Sequence, residues 1–424
     1  MILLATCLLL QTQAKIQLTL AQAVDWARDS AASSKLAASR EAEARSRQTE
    51  ATSHLLPTLT ASASDMERSY NFLTGGLSFP GFALPSPIPW YNIQDARLTV
   101  QAPLLSPVAW KGHLAAEQGL RARGAEREAA REDASLRGGL AWVELAKAQM
   151  LEQDREEALQ LARDLETMAN DQKSSGSATG LDVLRAQSQV VASRRALSQA
   201  RQARERTAIA LLRDLGLAGG DTVVAAGVLS LEPTKPVQES RQGVPARVRA
   251  ASQVQDATRL EAEASKARLL PTVGIEADYG YSAGLGQFDG GGTWTGQVGI
   301  FAEWQIWGGG GDEARLAQAR ERQRQATIAS SEAVRQFALD LDEAKAVVQR
   351  SGEQLELAKT QASLADSQLV LSRERFQEGG SGNLEVVQAQ ADRNTAHAAW
   401  IEAAGAHLAA LVRRRWATGH WDGF

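Results

Sequence analysis

Two carboxylates at matching positions are the first candidates for chemistry in this sequence. Asp182 and Glu385 each lie just inside a helix-forming segment that follows a glycine-rich turn. Such carboxylates could attract cations, and protonation or metal binding could change their charge. The alternative is ordinary helix chemistry, because the helix dipole stabilises an acid near the N-terminus and Thr179-x-x-Asp182 fits a capping box. Asp171 and Glu378, on the other side of each turn, are weaker candidates.

Residue patterns that would indicate an enzyme do not occur in the sequence. The five histidines have neither HxxxH spacing nor a cysteine partner. No Lys-Ser/Thr pair follows Gly308–Gly311, although a phosphate-binding loop requires one. No nucleophile stands in a recognisable arrangement with a base. We therefore predict no catalytic residue, no cofactor and no metal site.

The two acids belong to a duplicated segment. Both copies have a glycine-rich turn, then Leu-acid-Val, then Ala-Gln, and they read DQKSSGSATGLDVLRAQ at 171–187 and RFQEGGSGNLEVVQAQ at 375–390. Glycine permits the tight turn that reverses a helix. The sequence therefore predicts two helical hairpins, with tips near 174–181 and 377–384.

Long helices must hold these tips in place. Ala, Gln, Arg and Glu are abundant, aromatic residues are only 5% of the chain, and the net charge of −4 gives no sign of a nucleic-acid partner. The helices are predicted over 18–53, from Pro107 to the first tip, over 181–213 and 246–268, from about Asp312 to the second tip, and over 384–416. At ~1.5 Å per residue, the segment that begins at Pro107 is on the order of 100 Å long.

Heptad spacing on these helices indicates two neighbours for each. One apolar stripe of the second hairpin has 3-4 spacing, and a second stripe, Leu357, Leu364 and Leu371, is offset from it by two residues. A two-stranded coiled coil needs only one such stripe. A tube of helices needs two.

Four segments alternate apolar and polar residues with the period of a strand, at about 58–70, 92–103, 271–282 and 293–306. They have about the ~9–11 residues that a tilted membrane strand requires. A soluble sheet with one buried face gives the same alternation, but the sequence has no further apolar layer to cover one. Four strands cannot close a membrane barrel, and open edges are not tolerated in lipid, so a membrane sheet requires oligomerisation.

The first 14 residues form a short apolar run that ends in a Gln-x-Ala site before Lys15. This pattern predicts a secretory signal peptide, with an N-terminal core helix as the alternative. The only cysteine, Cys7, lies in this segment, so no thiol chemistry is expected in the mature chain. The predicted organisation is a signal peptide (1–14), a first repeat (15–213), a linker (214–245), a second repeat (246–417) and a C-terminal tail (418–424).

With these features in order twice, the sequence resembles the outer membrane efflux protein family, the TolC-like channels. The resemblance covers essentially the whole mature chain. Its most specific pieces are the twin tips and the Leu-Leu-Pro-Thr run that opens the first strand of each half at 55–58 and 269–272.

The resemblance implies a homotrimer in the outer membrane of a Gram-negative bacterium. Three sets of four strands would make a twelve-stranded barrel, and the helices would continue it as a tunnel through the periplasm. The subunit would serve a tripartite efflux or type I secretion system as a passive conduit, in contact with outer-membrane lipid, a periplasmic adaptor protein and an inner-membrane pump. The cargo, which could be a drug, a metal or a protein, stays open.

The same resemblance gives roles to particular residues. The acids Asp182, Glu385, Asp171 and Glu378 become candidates for a gate at the periplasmic aperture. Candidates for adaptor contact are Gly176, Gly180, Leu181, Arg375, Phe376, Gly379, Gly382 and Leu384. Candidates for the barrel lumen are Arg97, Glu276, Asp278 and Glu303. The first tip departs from the pattern, with Lys173 where the second has Phe376.

Two other functions are open to the same sequence. A periplasmic adaptor also carries a long helical hairpin, but would have lipoyl-like and small β-barrel segments between its helices. A cytoplasmic coiled-coil scaffold would have no reason to carry strands with Tyr and Trp.

Overall fold

The structure is a computed structural model that describes residues 15–70, 88–176, 178–217, 222–226, 244–284, 292–378, 382–419 and 421. The predicted signal peptide, Gly379 and most of the C-terminal tail lie outside the described residues. No helix in these ranges is both long enough and apolar enough to cross a membrane.

The described residues form seven helices and six strands. The helices are α1 (Leu20–Ser30), α2 (Ala32–Ser53), α3 (Pro107–Ser174), α4 (Gly180–Asp214), α5 (Ala246–Ala267), α6 (Gly311–Gln377) and α7 (Asn383–Thr418). The strands are β1 (Lys15–Leu18), β2 (Thr58–Tyr70), β3 (Ile88–Leu105), β4 (Thr222–Ala225), β5 (Thr272–Ala283) and β6 (Thr293–Glu303). The predicted mainly helical fold with four long strands is confirmed.

The chain divides into two compact units, each drawn from both halves of the sequence. The helical unit takes its residues from 1–40, 124–250 and 331–424, and the sheet unit takes them from 41–123 and 251–330. The helical unit therefore contains both hairpin tips. The sheet unit contains the four long strands with the adjoining ends of α2, α3, α5 and α6.

The long strands form one antiparallel sheet in the order β2-β3-β5-β6. Its register places Leu98 opposite both Ala61 and Tyr279, and Ile300 opposite Ile275. Residues directly opposite each other in a sheet share a face, so the alternation in each strand adds up to one apolar and one polar face.

The core of the helical unit is built around fully buried Leu145, Leu211 and Val412. The short strands β1 and β4 form a parallel pair beside it, in which Lys15 is opposite Thr222. The Trp142 indole N–H donates to the Leu18 carbonyl across 2.6 Å. This hydrogen bond ties the pair to α3.

The prediction of a single helix over 18–53 is wrong at its start. Leu18 ends β1, α1 begins after Thr19, and Ala31 adopts an extended conformation (φ −57°, ψ 142°) that separates α1 from α2. The cause is tertiary. Gly216, at φ +69°, packs so closely that a Cβ on it would lie 2.6 Å from the Ser30 carbonyl oxygen.

Three further segments differ from the prediction. β3 begins at Ile88 rather than at about residue 92, and it ends at Leu105 rather than at about residue 103. The last long strand ends at Glu303 rather than at residue 306. The segment 214–245, predicted as a linker, contains β4, while residues 218–221 and 227–243 of it lie outside the described ranges. A four-residue strand is too short for its alternation to be recognised.

Candidate functional site

The polar face of the sheet brings together three of the four predicted lumen residues with new partners. The Arg97 guanidinium binds the Asp278 carboxylate across 2.6 Å and the Asp95 carboxylate across 2.9 Å. The Ser282 hydroxyl donates to Asp95, and the Gln101 amide donates to Glu276 across 2.6 Å. The strand register puts all of these side chains on one face.

Burial separates this face from the apolar one. Asp278 is 6% exposed and Ser282 is buried, whereas Val298 and Ile300 on the apolar face are each 71% exposed. The polarity of the sheet is therefore the reverse of that in a water-soluble protein. Glu303, at the end of β6, lies on the polar face opposite Thr272 but has no described side-chain partner.

The apolar face carries clustered aromatic rings near one end. Trp294 stacks on Tyr279 with 5.3 Å between ring centroids and lies 5.6 Å from Tyr281. At the opposite end of β6, Trp304 is exposed and donates its indole N–H to the Leu269 carbonyl across 3.1 Å. Exposed aromatic rings at both ends of an apolar face are typical of strands that cross a membrane.

The first hairpin tip holds Asp182 firmly. The carboxylate accepts the backbone N–H of Thr179 across 3.0 Å and its hydroxyl across 2.6 Å, and the Thr179 side chain caps α4 in return. These hydrogen bonds from Thr179 lower the pKa of the Asp182 carboxyl below its ordinary value. The capping box considered in the sequence is therefore present.

The second tip has no equivalent. Gly382 caps α7 without a side chain, and the exposed Glu385 carboxylate has no partner in the described part of the chain. Asp171 and Glu378 are exposed as well. The two matching carboxylates thus differ in their hydrogen bonding, because Asp182 is held in a helix cap and Glu385 is not.

The two tips contact each other within the helical unit. Asn383, fully buried, donates its amide to the Asp182 carbonyl across 2.7 Å, and Gln172 donates to the Phe376 carbonyl across 3.0 Å. Phe376 is 4% exposed in a core shared with Leu165 and residues of α4 and α7.

The remaining predicted tip residues are on the surface. Leu181 and Leu384 are half exposed, and Gly176, Gly180, Arg375 and Gly382 are exposed. Gly176 has φ +75°, which only glycine adopts without strain. Phe376 is buried, so it is the predicted adaptor-contact residue least able to contact a partner. Lys173, the equivalent residue of the first tip, is exposed.

A buried ionic cluster farther along the hairpins was missed by sequence reasoning. Arg393 of α7 binds Asp366 of α6 across 2.9 Å and Asp154 of α3 across 3.4 Å, and His397 lies within 3.2 Å of both carboxylates. Burial raises the pKa of Asp154. No spacing in the sequence reveals this cluster, because its members come from three helices. Within the described ranges, no group of three or more ligating side chains is arranged to hold a metal ion.

Comparison with known proteins gives a family match for part of the chain and a fold for almost all of it. Residues 238–420 match the model of the family described as outer membrane efflux protein. None of the curated proteins compared with the chain matches it.

Solved structures share the fold along almost the whole chain. The Campylobacter jejuni CmeC outer membrane channel has a TM-score of 0.80 at 15% identity, over 96% of this chain and 87% of that chain. A Pseudomonas aeruginosa membrane protein has 0.80 at 19% identity, over 97% and 93%. The Vibrio cholerae outer membrane protein VceC has 0.76 at 19% identity, over 95% and 96%. At these identities the likeness is one of fold. The second half of this chain thus matches the outer membrane efflux protein family, and almost the whole chain shares its fold with these outer-membrane proteins.

Proposed function

We propose that three copies of this chain close one twelve-stranded barrel, and that solutes handed on by an inner-membrane pump leave through it by diffusion. The match of residues 238–420 to the outer membrane efflux protein family and the shared fold both support an efflux channel of the outer membrane. The observation that carries the trimeric conduit is the four-stranded sheet, which has a reversed polarity and two open edges.

The exposed apolar face has the right height for a bilayer. On β6 it runs from Trp294 to Ala302, and nine residues at ~3.4 Å each, tilted by roughly 40°, cover about 23 Å across the membrane. This agrees with the ~25 Å apolar band of outer-membrane barrels. Exposed apolar side chains such as Val298 and Ile300 are favourable in contact with lipid and unfavourable in contact with water.

The sheet edges require further copies of the chain. β2 pairs only with β3 and β6 only with β5 within the described sheet, so each edge leaves backbone N–H and C=O groups unpaired. Lipid cannot satisfy such groups. Pairing β6 of one copy with β2 of the next is a head-to-tail contact that generates a ring, and three copies supply twelve strands.

The helices offer a matching contact. In α6 the stripe with Leu355 and Leu369 is buried by the chain itself, but Leu357, Leu364 and Leu371 are exposed, Leu357 to 72%. Leu184 and Val191 form a similar exposed pair, seven residues apart, on α4. Apolar residues at heptad spacing pack against another helix, so these stripes support contact with neighbouring copies.

The adaptor alternative has no support in the sheet. An adaptor would divide its strands among small domains, whereas here both halves of the sequence contribute two strands to one sheet.

The first experiment is the mass of the detergent-extracted protein, from a separated outer-membrane fraction, with and without boiling. We expect a species of three chains that collapses to a monomer on heating. A monomer or dimer without heating would contradict the closed barrel, because the edges of the sheet would stay open.

We further propose that the hairpin tips meet the adaptor protein and that Asp182 and Glu385 favour cations at the aperture. Gly382 lies in open space, so Gly382→Trp should impair efflux in cells while the heat-sensitive trimer persists. In planar bilayers Glu385→Ala should reduce cation preference more than Asp182→Ala, because only Glu385 has a free carboxylate. Unchanged selectivity in both variants would remove the acids from the gate.

A further inference from the structure

The sheet unit contains a cavity of about 930 Å³ at the helix ends next to the sheet. Side chains from α2, α3, α5 and α6 line it. Small residues such as Gly112, Ala115 and Ala319 form much of its wall, which leaves room for long side chains and a solute. The charged side chains of the lining are Arg47, Arg123, Arg268, Arg315, Arg322 and Glu261, and we call this site the arginine groove.

The arginine groove is strongly basic for a chain that is acidic overall. Five arginines and one glutamate line the cavity, although the net charge of the chain is −4. Arg47 and Arg315 are paired within their own helices, with Glu43 at 2.7 Å and Asp312 at 2.9 Å.

Two of the arginines have no carboxylate partner within the described residues. Arg268 and Arg322 have no carboxylate within ion-pairing distance in the described part of the chain, and both side chains are exposed. Arg268 lies in the turn directly after α5 and Arg322 lies in α6, yet both line the same cavity. Repulsion between like charges makes such an arrangement unfavourable unless an anion or water offsets it.

The residues that line the groove indicate on which side of the four helices it lies. The helices follow the sheet order α2, α3, α5, α6, and all four contribute to the one cavity. If four neighbouring helices form a curved layer, one cavity can contact both the first and the last helix only on the concave side of that layer. In a closed ring of copies, the concave side faces the lumen.

We propose that the arginine groove binds anionic solutes that carry carboxylate or phosphate groups as they pass through the channel. The inference rests on the proposed function, since it requires a lumen. Guanidinium groups recognise these anions through paired N–H donors, and rings of Arg give pores a preference for anions. The groove thus favours one class of cargo at a point separate from the acids of the hairpin tips.

The experiment is single-channel recording of the reconstituted trimer in a KCl gradient, with citrate as the probe anion. The groove variant is Arg268→Gln with Arg322→Gln. The matched control is Lys266→Gln with Arg324→Gln, which removes the same charge at positions two residues away in sequence and outside the lining. A third variant, Arg268→Lys with Arg322→Lys, keeps the charge without the forked donors.

We expect the chloride-to-potassium permeability ratio to fall about threefold in the groove variant and citrate block to weaken about fivefold, because two fixed charges per chain are lost. The lysine variant should keep the permeability ratio and lose part of the citrate block. The control should stay close to wild type. Equal effects of the groove and control variants would overturn the inference, as would a groove variant that no longer forms trimers, since the groove would then be a contact between copies. A wild-type protein without conductance would instead contradict the proposed function.

Discussion

The two hairpin tips are copies in sequence but differ in structure. In the first, Thr179 and Asp182 cap α4, and the equivalent position to Phe376 is the exposed Lys173. In the second, glycine caps α7, Glu385 is free, and Phe376 fills the core between the tips. The first tip is therefore stabilised by its own hydrogen bonds and the second by its contacts with the first. A duplicated segment has taken two complementary roles.

The largest effect is expected for Phe376→Ala, and Lys173→Ala at the equivalent position of the first tip is its control. Removing a buried phenylalanine costs about 3–5 kcal/mol, whereas an exposed substitution stays within about 0.5 kcal/mol. Hydrogen exchange at the end of α6 and the start of α7, measured by mass spectrometry on the detergent-extracted protein, should be faster only in Phe376→Ala. Similar exchange in the two variants would mean that the tips are equivalent.

Asn383→Ala tests the hydrogen bond that joins the tips. It leaves the Asp182 carbonyl without its buried donor and should cost about 1–3 kcal/mol. Hydrogen exchange should rise at the starts of both α4 and α7. Glu385→Ala, at an exposed position two residues away, is the control, and an equal effect there would argue against a specific link.

Exchanging the caps should reduce the difference between the tips. Thr179→Ala removes the side-chain cap of α4 and should cost about 1 kcal/mol, while Gly382→Ser should stabilise α7 by a few tenths, roughly 0.3 kcal/mol. Gly382 has φ −82° and open space around it, so serine fits there. Protection of the first turns of α4 and α7 should then become similar. A destabilised α7 in Gly382→Ser would contradict this assignment.

The smallest expected effect is a pH dependence confined to the first tip. The folded-state pKa of Asp182 is lowered, so its cap stabilises α4 at pH values above the ordinary pKa of about 3.9. That contribution is lost as the pH falls through the lowered pKa. Exchange rates of the first turn of α4, corrected for intrinsic pH dependence, should rise only below about pH 4 and lose this step in Thr179→Ala. A step at higher pH would contradict the assignment.

The repeating patterns predicted most of the fold. The alternation of β5 and the heptads of α6 arise from neighbours a few residues apart, so the sequence alone places their faces. The family resemblance built on the twin tips is confirmed, because it too depends on short local segments. The capping box at Thr179 could be anticipated for the same reason.

The features that could not be predicted from the sequence depend on contacts between residues that are far apart in the chain. β1 and β4 pair across about two hundred residues, and the break at Ala31 depends on the turn at Gly216. The burial of Phe376 and Asn383 requires the first hairpin to lie beside the second. Asp95 is an exception, because its alternation with Arg97 could have placed it among the lumen candidates.

The open edges of β2 and β6 also have a kinetic consequence. Unpaired strand edges are templates for any other extended chain, so in the proposed assembly every newly made copy is exposed to aggregation until its ring closes. Ring closure needs successive encounters between copies, whereas wrong pairing needs only one with any exposed strand. In the proposed assembly, the yield of finished rings therefore depends on how chains are delivered and shielded as well as on the stability of the ring.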